Sequence, residues 1–117
     1  MSELNKTTLE QANAAVRAGD NEGFLSFCTD DIVWSTVGGE TLHGKGAVRD
    51  WMTKEYVSPP AFTVDRLVAE GDFVVALGDI ASKDAGGREV KHAYSDVWRF
   101  RDGKMAELRA FVIPTGT

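Results

Sequence analysis

Apolar positions recur at helical spacing along the first half of the chain and switch to alternation from Ala61 onward, so the pattern predicts helices first and strands afterwards. Leu9, Ala12, Ala15 and Val16 form one helical stripe, opened by the capping-box sequence Thr7-Thr8-Leu9-Glu10 and stopped by Gly19. Asp20 caps a short second helix whose Phe24 and Phe27 share a face, before Thr29-Asp30-Asp31 breaks it. The β-branched and aromatic run Ile32-Val33-Trp34-Ser35-Thr36-Val37 predicts a strand that ends at Gly38-Gly39. After His43-Gly44, the residues Ala47, Val48, Trp51, Met52 and Tyr56 trace a third helix, which Ser58-Pro59-Pro60 must terminate.

Four strands are predicted beyond that point, near Phe62 to Ala69, Asp72 to Lys83, Glu89 to Phe100 and Met105 to Ile113. Glu70-Gly71-Asp72, Asp84-Ala85-Gly86-Gly87 and Asp102-Gly103 supply the turns, and Asp-Gly between apolar strands is the strongest hairpin signal among them. Helices followed by sequential hairpins predict an α+β fold in which the helices cover one face of an antiparallel sheet. With 117 residues, 43% of them hydrophobic, and no repeat or linker, a single domain over residues 1–117 is expected.

Charge and cysteine usage narrow the partners. A net charge of −5 argues against the basic surface that nucleic acid or an anionic membrane selects. Cys28 is the only cysteine, which removes any intramolecular disulfide and any paired-cysteine zinc site. The opening MSELNKTTLEQ lacks the layout of a signal peptide, and no apolar run approaches the roughly 20 residues of a membrane span. A cytoplasmic setting is expected. No His, Cys and carboxylate cluster has metal-ligand spacing, so no metal is expected.

Candidate chemistry gathers on one strand. Alternation places His92, Tyr94, Asp96, Trp98 and Phe100 on one face and Lys91, Ala93, Ser95, Val97, Arg99 and Arg101 on the other. The aromatic face must be the covered one, because lysine and arginine are rarely fully buried. Asp96 then sits among aromatics, where a carboxylate finds a hydrogen-bond partner, holds a raised pKa or lines a wet cavity. One reading makes it a structural acceptor within the core; the other makes it a general acid or base. His92, about 13 Å from Asp96 along the strand, is a candidate base or a satisfied strand-end histidine, with Tyr94 bridging the two. His43, followed by glycine ahead of a helix, suits a turn. Asp79 has no assigned face, since Val74, Ala76, Gly78 and Ile80 compete with its own row for the interior. Trp51, Met52, Phe24 and Phe27 can close a pocket or simply fill the core.

The order of elements, together with Ala18-Gly19-Asp20, Thr29-Asp30-Asp31, His43-Gly44 and Ser95-Asp96-Val97-Trp98-Arg99-Phe100-Arg101-Asp102-Gly103-Lys104, resembles the nuclear transport factor 2-like superfamily. Within it, the chain is similar to the SnoaL-like branch of polyketide cyclases and ketosteroid isomerase-like proteins. The resemblance implies a cone-shaped curved sheet with three N-terminal helices over its concave face. It also implies a pocket for a small hydrophobic molecule. Asp96 falls at the position of the carboxylic acid in the isomerase oxyanion hole. Thr36 stands where that enzyme has its base, and Ala12 near its oxyanion tyrosine, so the full isomerase set is absent. Ala110 takes the place of an aspartate needed by limonene epoxide hydrolases.

SnoaL-like cyclases use a cavity-wall aspartate for a cofactor-free aldol closure, and Asp96 matches that role, with Tyr94 and His92 as further catalytic candidates. If Thr36 faces the cavity as its family position implies, Trp34 does so too, and Trp34, Thr36, Trp51 and Trp98 become the candidate ligand-binding residues. The other face carries Val97 and Phe111 among Lys91, Arg99, Glu107 and Arg109, a self-complementary mixture that predicts a homodimer through the convex sheet. Two functions follow: a cyclase- or isomerase-type enzyme acting through Asp96, or a non-catalytic module for a small hydrophobic ligand or a protein partner.

Overall fold

The computed structural model describes residues 2–56, 58–83 and 86–115. Its elements run α1 (Ser2–Arg17), α2 (Asn21–Leu25), β1 (Cys28–Thr36), β2 (Thr41–His43), α3 (Lys45–Glu55), β3 (Ala61–Phe62), β4 (Arg66–Glu70), β5 (Phe73–Lys83), β6 (Glu89–Arg101) and β7 (Lys104–Pro114). The α+β order expected from the pattern is present. α1 begins five residues before the expected capping box, and Thr7 bonds back to the Glu3 carbonyl at 3.1 Å from within the helix. The buried stripe extends to Asn5, which explains the earlier start. At its other end, Gly19 N–H donates to Val16 and Asp20 N–H to Ala15, a double closure that stops the helix where Gly19 predicted.

The strands form one sheet in the order β2-β1-β7-β6-β5-β3, with β4 also paired to β5. All pairings are antiparallel except β1 with β7, which makes the sheet mixed. No hairpin joins those two strands. α3 and the long meander carry the chain back to lay β7 beside β1 in the same direction. The expected Phe62–Ala69 strand is split into β3 and β4, with Thr63 and Asp65 N–H bonded to the Asp79 and Leu77 carbonyls of β5 between them. β2 forms a short hairpin with β1 that the sequence pattern did not predict. Asp102 and Gly103 make the tight β6–β7 turn with φ of 53° and 79°, the paired positive values that Asp-Gly favours. Of the expected turn after β5, Asp84 and Ala85 lie outside the described residues.

The sheet curves, and the helices occupy its concave side. α1 lies against β4, β5 and β7, while α3 lies against β1 and β2. Leu9, Ala12, Ile32, Val48, Met52, Val74 and Met105 are fully buried between these layers. Burial of this apolar surface is the main favourable contribution to the fold. Val74 and Ala76 point inward, so their alternates point outward, and Asp79 is exposed on the convex face beside Ala93. No described helix is long and apolar enough to cross a membrane.

Candidate functional site

Strand register converts the chain into transverse rows across the concave face, each separated from the next by about 7 Å. One row is Trp34, Leu108, Trp98 and Val74. The next is Thr36, Ala110, Asp96 and Ala76, followed by Val112, Tyr94 and Gly78, and then by Pro114, His92 and Ile80. Asp96 is thus flanked on both neighbouring strands by alanine, the smallest side chain that a strand normally offers. No large side chain therefore stands directly beside the carboxylate on either neighbouring strand.

Aromatic rings wall that floor. Trp34 packs on Phe24 at 6.0 Å, on Trp51 at 5.3 Å and on Trp98 at 5.9 Å between centroids, and Trp51 meets Tyr56 at 5.1 Å. Several are edge-to-face contacts, the geometry that aromatic quadrupoles favour. The structure therefore brings Trp34, Thr36, Trp51 and Trp98 to one end of the concave face with Asp96.

Asp96 is partly accessible, yet burial pushes its carboxyl up to about 7, with no other cause acting on it. Among the described residues it forms no hydrogen bond or ion pair. A buried charge without a partner is costly, so the proton is held to near neutral pH. Such a group exchanges protons where metabolism operates. The Asp96 charge in turn raises the Tyr94 and Tyr56 phenols, after burial itself as the larger cause, and Tyr94 is pushed up to about 12. Tyr56 is the site residue that sequence reasoning placed only on a helix stripe. At the C-terminal cap of α3 it lies near enough to Asp96 to feel that charge, and no sequence motif marks that.

Tyr94 and His92 lie elsewhere along the cone. The Tyr94 hydroxyl donates to the Thr63 carbonyl at 2.6 Å, crossing the sheet above Gly78. A Cβ at Gly78 would stand 1.9 Å from that carbonyl oxygen and 2.8 Å from the hydroxyl, so glycine is what admits the tether. His92 sits two rows from Asp96, and lines instead a cavity of about 700 Å³ with Arg17, Phe62 and Ile80. His43 is exposed at the end of β2, paired with Val33. Among the described residues no group of His, Cys, Asp or Glu could hold a metal ion.

Comparison with known proteins agrees with this architecture. An NTF2-like protein of unknown function from Cytophaga hutchinsonii is 24% identical, with a TM-score of 0.76 over 92% of this chain and 97% of that one. A Mycobacterium tuberculosis protein in complex with estradiol-17β-hemisuccinate is 18% identical, with a TM-score of 0.83 over 92% of each chain. An epoxide hydrolase of limonene epoxide hydrolase type from M. tuberculosis, also 18% identical, gives 0.84 over 95% of this chain and 84% of that one. No protein of curated function matches the sequence. The SnoaL-like domain model matches residues 9–108, and the chain accordingly belongs to the SnoaL-like family of the NTF2-like superfamily.

Proposed function

We propose that this protein binds a small, mostly apolar, carbonyl-bearing molecule on the concave face and uses Asp96 as its acid–base group in a cofactor-independent cyclisation or isomerisation. The observation that carries this reading is the Asp96 carboxyl, without a donor among the described residues, on a floor of alanines walled by aromatic rings. In an aldol closure, the Asp96 carboxylate removes a proton from the carbon beside one carbonyl. The resulting enolate forms a carbon–carbon bond to a second carbonyl of the same molecule. The alkoxide so formed takes the proton back from the Asp96 carboxylic acid, which restores the starting state. Trp34, Trp51 and Trp98 hold the apolar body, and Thr36 offers a hydroxyl at the floor. A fold relative that holds a steroid ester supports a ligand of this size and character.

Turnover of a panel of aromatic poly-β-ketones by the parent and Asp96→Asn tests the reading. A loss of at least ~100-fold is expected, with tryptophan quenching showing that ligand still binds. Equal turnover removes Asp96 from the chemistry. The other reading is a binding module without turnover, favoured by one observation: Thr36 and the fully buried Ala12, which share this side of the sheet, have no group that titrates near neutral pH. Ligand quenching with no conversion of any panel member by the parent supports that reading.

We propose as well that two copies pair through the convex face, where Val75 and Val97 lie side by side under a mixed-charge rim. Val97→Glu is expected to shift a dimer to monomer in sedimentation velocity, and an unchanged sedimentation coefficient contradicts it. The single buried thiol of Cys28 suits the reducing cytoplasm proposed as its location.

A further inference from the structure

The geometry points to a second small-molecule site, at the end of the sheet opposite the tryptophans, where Phe62, Ile80 and His92 of the concave face meet Asp79 and Lys91 of the convex face, built to take an organic anion. The cavity of about 700 Å³ that contains His92 falls within the size range of small-molecule pockets. Its apolar lining is Phe62 and Ile80, paired across β3 and β5, with Pro59 and Pro60 beside them. Its polar lining is the two cations Arg17 and Lys91, with the imidazole of His92, against the single carboxylate of Asp79.

Arg17 decides the chemistry. Its guanidinium lies 4.2 Å from the centre of the Phe62 ring and 3.5 Å from the Phe62 carbonyl, which places it at the cavity wall. Among the described residues no carboxylate lies within ion-pair distance of it. A positioned guanidinium without a counter-ion retains its donors for a carboxylate, sulfonate or phosphate. Lys91 is only loosely engaged, 3.9 Å from Glu89 with both side chains well exposed, and remains available as a second cation. Asp79 on the rim disfavours a second negative group on the ligand. The recognised class is therefore a singly anionic molecule with a compact apolar body, seated on Phe62 and Ile80. The Tyr94–Thr63 tether stands between this cavity and Asp96, so the site is separate from the acid–base centre.

A matched pair of fluorescent probes tests this: 8-anilinonaphthalene-1-sulfonate and N-phenyl-1-naphthylamine, which differ by the sulfonate. In titrations of the full chain, the sulfonate is expected to bind at least ~10-fold more tightly, the size of one charge-assisted contact. Arg17→Ala is expected to abolish that preference while leaving the neutral probe within ~2-fold, and Arg17→Lys to restore part of it. Raising salt from about 50 to about 500 mM should weaken the sulfonate alone. Asp96→Asn should leave the preference for the sulfonate over the neutral probe in place, which separates this site from the proposed catalytic one. Equal affinities for the two probes, an equal loss of both in Arg17→Ala, or a preference that disappears in Asp96→Asn would each overturn the proposal.

Discussion

The two faces of this sheet are built from the same strands and differ in everything that alternation controls. On the concave side, Trp98 and Leu108 are buried against the helices, and Asp96 retains its proton near neutrality. On the convex side, Phe73, Leu77, Phe111 and Ile113 are exposed, and Arg99 pairs with Glu107 at 3.1 Å. Asp79 and Asp96 make the contrast sharpest, because both are strand aspartates of the same meander. One faces water beside Ala93, whereas the other faces alanines and tryptophans. The lesson is that a carboxylate's chemistry here is set by the parity of its position in the strand.

The largest effect should come from the concave wall. Trp98→Ala removes a buried ring that touches Phe24 and Trp34, and is expected to lower unfolding free energy by about 3–5 kcal/mol in urea titration. A loss under about 1 kcal/mol would mean that the wall is not packed as described.

Asp96 gives an intermediate effect with a diagnostic pH dependence. Its folded-state pKa of about 7 stands above its ordinary value of 3.8, so between those values the folded chain holds a proton that the unfolded chain has lost. Stability therefore falls as pH rises through that window, and the full cost is present above it. Asp96→Asn cannot ionise, and is expected to gain about 1–3 kcal/mol at about pH 8 and little at about pH 4. A structural acceptor in that position would instead make the variant less stable at both.

The smallest effect belongs to the convex face. Ile113→Ser is expected to stay within about 0.5 kcal/mol of the parent in the monomer, since the side chain is already 64% exposed. A larger loss would show that this face is covered within the monomer.

Much of the site was legible in the alternation of Glu89 to Phe100. Period two alone places His92, Tyr94, Asp96, Trp98 and Phe100 together, and the register confirms that face as the covered one. Asp79 was not legible, because both parities of β5 carry apolar residues and only pairing with Ala93 resolves them. The Ala76 and Ala110 floor was equally hidden, since it depends on which residues of three strands stand side by side. Tyr56 and Arg17 were missed for a related reason: each ends a helix, and where a helix end projects depends on packing rather than on spacing. The parallel β1–β7 pairing likewise arises from topology, which no local pattern encodes.

Asp96 is a carboxyl without a partner among the described residues, poised near neutral pH. Its titration can be followed by carbon-13 NMR of the labelled side-chain carboxyl, assigned by the signal lost in Asp96→Asn. A midpoint near 7 is predicted. A midpoint near 4, the ordinary value for an aspartate, would contradict the account.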